Sequence, residues 1–181
     1  MHGLDHTAGD LDSPAYSKIS PFRQVPAIDD DGFVVAESGA AVLYIAEKAG
    51  KLIPSDFEGR TRVTQWCFAA LTSVAPTLSL LGLGDTAGLK DDGRTMWLGI
   101  AKRWLDGLEQ TLNGRAWIAC QEFTVADILL ATVLREVRNT DLMAPYPRLK
   151  DYYARALARP AWERTLALYA ERLGVAVADI R

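Results

Sequence analysis

The apolar residues Trp97, Ile100, Ala101, Trp104, Leu105, Leu108 and Leu112 recur at helical spacing, as do Val63, Trp66, Cys67, Ala70, Leu71 and Val74 ahead of them. Such a pattern puts one apolar stripe on one side of a helix, and a stripe of that length must be covered by another element. Two of them in succession constrain the chain to a helical bundle in which they are antiparallel neighbours. Pro76 and the stretch 82–93 mark a bend and a connection between them. Trp66, Trp97 and Trp104 fall in the stripes, so they are expected in the core rather than around a ligand, and Cys67 reads as an inert buried thiol.

Further helices follow. Thr124-Val125-Ala126-Asp127 has the spacing of a capping box, with Thr124 capping the first turn and Asp127 reaching back to the Thr124 N–H. Phe123 and Ile128 stand where a hydrophobic staple would form. The helix predicted over 125–138 is apolar nearly all round at Ile128-Leu129-Leu130-Ala131, which makes it the buried one. Stretches 147–158 and 160–173 read as two more helices, broken at Arg159-Pro160. An all-helical domain over 57–174 results.

Residues 1–50 read differently. Ser13-Pro14 opens a short helix ended by Pro21; Val25-Pro26-Ala27-Ile28 and Phe33-Val34-Val35 flank the acidic turn Asp29-Asp30-Asp31-Gly32 and predict a β-hairpin. A helix is expected over 37–49, stopped by Gly50. The linker is 50–56.

Composition narrows the function. With 20 basic and 23 acidic side chains and a net charge of −3, the chain lacks the basic excess that would draw it to nucleic acid or an anionic membrane. Its two histidines, His2 and His6, lie at the extreme start, and Cys67 and Cys120 are far apart. No metal site, triad hydrolase or C-x-x-C redox pair is indicated. Neither a leader nor an apolar run of membrane-spanning length is present, so a cytoplasmic protein is expected.

The ordered set of Ser20-Pro21-Phe22-Arg23-Gln24-Val25-Pro26-Ala27-Ile28, a hairpin, Glu37-Ser38, paired helices and Phe123-Thr124-Val125-Ala126-Asp127-Ile128 resembles the cytosolic glutathione transferase family over about residues 11–174. The resemblance implies a mainly α fold: a partial thioredoxin-like α/β domain, here lacking its first strand, helix and second strand, followed by an all-helical bundle. It also implies a cis Pro26, with the main chain of Val25 offered to glutathione as a strand edge. Ser38 at a helix start would receive the γ-glutamyl carboxylate and Glu37 the ammonium. Read in isolation, Glu37 and Ser38 are only an acidic first-turn residue and a helix cap; Thr124 and Asp127 are structural.

Three departures from the family pattern stand out. Arg23 occupies a position where glycine is common, which is expected to shift the loop slightly, and Ala119-Cys120-Gln121-Glu122 replaces a Gly-Asp turn. The family's thiol-activating Tyr, Ser or Cys sits at the end of the first strand, and residues 1–10 are too few to supply it. No catalytic residue is therefore assigned, and the chain as given is expected to turn over poorly.

The activity implied is conjugation of the glutathione thiolate, glutathione being a co-substrate, to a small apolar electrophile. Residues 78–89 and the C-terminal helix are the suspected pocket. A homodimer built on the Val63 and Trp97 stripes is also implied. The alternative is a non-catalytic binding or dimerisation module of the same fold, which would have no need for the Val25-Pro26 and Glu37-Ser38 features.

Overall fold

The computed structural model describes residues 3–4, 8–84 and 88–180. The chain forms two compact units, residues 1–60 and 61–181.

In the first unit, Ser13 caps α1 (Pro14–Ile19), its Oγ accepting from the Tyr16 N–H at 3.2 Å, and the proline at the first helical position loses no hydrogen bond. Strands β1 (Ala27–Asp30) and β2 (Phe33–Ala36) pair antiparallel with Ala27 opposite Ala36 and Asp30 opposite Phe33. The turn is thus only Asp31-Gly32, tighter than the four-residue turn predicted, and both residues have the positive φ (53° and 90°) that a primed hairpin turn demands. Helix α2 (Ser38–Ala49) follows and ends on Gly50 at φ 61°. Tyr44 on α2 donates to Asp30 Oδ2 at 2.6 Å and Lys48 pairs with the same carboxylate, which ties α2 to β1; these two partners hold the Asp30 carboxyl below its usual range, Lys48 foremost.

From residue 57 onward the regular elements among the described residues are all helices. Helix α3 (Phe57–Phe68) runs through a wide π turn, Ala69–Val74, into α4 (Ala75–Gly82). Pro76 brings no N–H to the ladder, which accounts for the widened backbone just ahead of it. Then come α5 (Asp91–Thr111), α6 (Val125–Leu134) with a 3-10 turn at Arg135–Val137, α7 (Pro147–Leu157), α8 (Pro160–Leu173) and the short α9 (Val177–Ile180), which the sequence did not announce. Helix α6 packs on the π turn, α4 and α7, and buries Val125, Leu129, Leu130, Val133 and Leu134.

The stripes are buried along their centres only. Val63, Cys67, Ala70 and Val74, and Ala101, Leu105, Leu108 and Leu112, lie in the core; Trp66 and Trp97 are half-buried and Trp104 is 36% exposed. The three tryptophans flank the arc of small and aliphatic residues that makes the contact, so their expected core placement is corrected to its margin. The stripe centres are consumed inside the chain, which also removes them as dimer contacts. Among the described residues no helix is long and apolar enough to cross a membrane.

Candidate functional site

The loop that enters β1 is held from α1. Tyr16 and Ser20 are one helical turn apart and both buried; the Tyr16 hydroxyl donates to the Gln24 carbonyl at 2.8 Å, and Ser20 Oγ donates to the same carbonyl at 2.9 Å while accepting the Gln24 N–H at 3.0 Å. Arg23 stands at φ 55°, in the left-handed region that glycine adopts most readily; the Arg23 N–H donates to the Ser20 carbonyl at 2.9 Å and its guanidinium pairs with Asp12 at 2.6 Å. The Val25-Pro26 peptide bond is cis. Val25 is 49% exposed, and its N–H and C=O take part in no hydrogen bond among the described residues.

Glu37 and Ser38 lie where β2 passes into α2. Glu37 is the N-cap at φ 73°, ψ 125°, outside the left-handed helical region and a conformation that costs a side-chain-bearing residue about 1–3 kcal/mol. Its carboxylate caps nothing and forms no ion pair among the described residues. Ser38 is the first helical residue rather than the cap, and its hydroxyl has no hydrogen-bond partner among the described residues. The plain helix-cap reading of Ser38 is therefore corrected. The first N–H groups of α2 and the Ser38 hydroxyl lie beside the Glu37 carboxylate, and no side chain among the described residues caps them.

The remaining candidates are structural. Asp127 is fully buried and accepts from the Thr124 N–H at 2.8 Å, Thr124 Oγ1 at 3.1 Å, the Ile118 N–H at 2.9 Å and the Tyr152 hydroxyl at 3.1 Å. Burial first, and then Asp127, hold the Tyr152 phenol well above its ordinary range. Phe123 packs edge-on against Trp117 at 4.8 Å beneath the Arg159 guanidinium. Cys67 is buried, and desolvation followed by the Asp127 charge pushes its thiol up to about 11. Among the described residues no group of His, Cys, Asp and Glu is arranged to hold a metal ion. Two clefts of about 670 and 710 Å³ open on the helical unit; the more apolar one is lined by Leu81, Leu98, Leu105, Leu142 and Tyr146 with Arg94 at its side. Among the described residues of the suspected region 78–89, Leu81 alone lines it.

Residues 3–47 match the family model Glutathione S-transferase, N-terminal domain, and residues 86–164 match Glutathione S-transferase, C-terminal domain. A solved glutathione transferase from Burkholderia graminis, with two glutathione molecules bound per subunit, is 30% identical with a TM-score of 0.80, the match covering 90% of this chain and 75% of that one. The chain belongs to the glutathione S-transferase family. Within that family it is 28% identical to the disulfide-bond oxidoreductase YfcG of Escherichia coli, over 84% of this chain and 76% of the relative. It is 28% identical as well to a GST-like protein of Streptococcus mutans, over 87% of this chain, and spans 66% of that relative's length.

Val25, Pro26, Glu37 and Ser38 lie in the segment matched to the family's N-terminal domain, Thr124 and Asp127 in that matched to its C-terminal domain. The Tyr16–Ser20–Gln24 clamp was missed from sequence. Its only signal was a hydroxyl pair four residues apart on a short helix directly before a proline turn.

Proposed function

We propose that this glutathione S-transferase family member binds glutathione in an extended form, the cysteinyl main chain paired with Val25 and the γ-glutamyl end received at Glu37 and Ser38. The observation that carries the reading is Glu37: a non-glycine residue held at φ 73° beside a helix start with no side-chain cap costs stability, and its carboxylate meets no partner among the described residues. Strain of that kind persists where a ligand uses the geometry. A carboxylate fits the donors at the head of α2, and an ammonium fits the Glu37 carboxylate, so one residue pair suits both charges of an α-amino acid end.

The reaction we favour is attack of the glutathione thiolate on an apolar electrophile. A free thiol with pKa about 8.5 is only a few per cent ionised at pH 7, so the site must favour the thiolate. A second reading, exchange of that thiolate with a disulfide, is favoured by the similarity to an oxidoreductase from Escherichia coli and to a transferase holding two glutathione molecules per subunit. In that case one glutathione thiolate attacks the disulfide to form a mixed disulfide, releasing one thiolate, and a second attacks the glutathione sulfur of the mixed disulfide, forming glutathione disulfide and releasing the other thiolate.

Calorimetric titration with glutathione, followed by turnover of an aryl halide against a small dialkyl disulfide, separates the readings. Saturable binding with conjugation supports the first, saturable binding with thiol release supports the second, and absence of binding overturns both in favour of a non-catalytic module. The assembly proposed is a homodimer; the large apolar side chains left exposed on α3 and α5 are Phe57, Phe68, Met96 and Trp104. A monomeric mass by light scattering at micromolar concentration overturns that part.

A further inference from the structure

The loop between α1 and β1 carries an uneven distribution of main-chain hydrogen bonds. Residues 21–26 are all exposed, which ordinarily means a solvated and mobile backbone. Gln24 departs from that expectation: its N–H is taken by Ser20 Oγ and both lone pairs of its carbonyl by the Ser20 and Tyr16 hydroxyls. The two hydroxyls are themselves buried, Ser20 at 1% exposure, and the Ser20 hydroxyl is used both as donor and as acceptor. One residue further on, both main-chain groups of Val25 are free of hydrogen bonds among the described residues. The boundary between fully satisfied and fully unsatisfied backbone thus falls at the edge proposed to meet the peptide.

We infer that Tyr16 and Ser20 are positioning residues for glutathione: by fixing the main chain of Gln24 they keep the N–H and C=O of Val25 aimed outward for strand pairing. The inference rests on the reading of Val25 given under Proposed function. Its physical content is preorganisation. An exposed loop that must be ordered when the peptide arrives loses affinity to that ordering, whereas a loop already clamped through buried hydroxyls does not. A clamp that merely fastened α1 to the loop would affect folding and leave peptide recognition untouched.

The test uses the full chain with Tyr16→Phe and Ser20→Ala, titrated calorimetrically with glutathione and with a glutathione analogue methylated on the cysteinyl peptide nitrogen, which cannot donate to Val25. Methylation is expected to weaken binding to the unaltered chain. Each variant is expected to bind glutathione about tenfold more weakly, and methylation should then cost the variants much less than it costs the unaltered chain, the non-additivity of two changes acting on one contact. Variants that keep full affinity overturn the inference, as do clamp and methylation penalties that simply multiply. If the unaltered chain fails to bind glutathione, the reading of Val25 fails and this inference with it, a result visible before any variant is made. Tyr16→Phe keeps the aromatic ring and removes one hydrogen bond, so the test stands even if Ser20→Ala does not fold.

Discussion

In the proposed glutathione site, Ser38 contributes a hydroxyl and Glu37 a strained backbone beside it. Because Ser38 follows the cap, Ser38→Ala should leave the unfolding free energy within about 0.5 kcal/mol of the parent. The same change should weaken glutathione binding by about 1–3 kcal/mol, the range for losing a hydrogen bond to a charged group. Denaturant unfolding and calorimetry on one preparation check both halves, and a stability loss without an affinity loss would return Ser38 to a structural role. The pair was legible in the sequence as Glu-Ser at a helix start. The strained backbone of Glu37 was not, since no local propensity encodes a positive φ at a glutamate. The φ of 55° at Arg23 was not legible for the same reason. Cys67 offers a pH test. Its folded pKa of about 11 lies above the ordinary thiol value of 9.0, so the folded chain binds that proton more tightly than the unfolded one. The thiol therefore costs nothing at neutral pH, and it lowers stability as pH climbs from the unfolded value towards the folded one. Alkylation at pH 8 should spare Cys67 in the native chain and modify it in denaturant; equal rates in the two states would contradict its burial.

Among the elements, the most exacting contact is the end of α4 against the 3-10 turn that follows α6. A Cβ added to Gly82 would lie 2.3 Å from the Glu136 carbonyl oxygen. Backbone cannot yield as a side-chain tip does, so Gly82→Ala should cost about 1–3 kcal/mol, the usual range for overpacking. A shift below about 0.5 kcal/mol in denaturant unfolding would show that the two segments separate freely. The capping box at Thr124 and Asp127 was readable because its signal is four residues long. Helix α7 shows the opposite: its first N–H groups, on Arg148 and Leu149, are received at 3.2 and 2.9 Å by the Glu109 carboxylate of α5. That cap comes from the far side of a loop and leaves no local pattern. Stripe spacing located α3 and α5 correctly and still overstated the tryptophans, since period alone does not distinguish the centre of a buried arc from its rim.

For the whole molecule, the two units differ in how their backbones are protected. Among the described residues the sheet has two strands, with Phe33 and Val34 exposed, and a two-stranded ribbon is marginal in water without packing support. Helix α6 is enclosed by the π turn, α4 and α7. Amide exchange should therefore be faster over β1 and β2 than over α6, and equal protection would mean that the first unit is as firmly held as the helical core. The central claim is that glutathione is read by the free edge at Val25 and the open head of α2. Its most direct test is a glutathione titration of the isotope-labelled chain followed through the amide NMR spectrum. Saturable shifts centred on Gln24, Val25, Ser38, Gly39 and Ala40, with α6 unmoved, are predicted. Shifts confined to the helical unit, or none that saturate, would contradict the account.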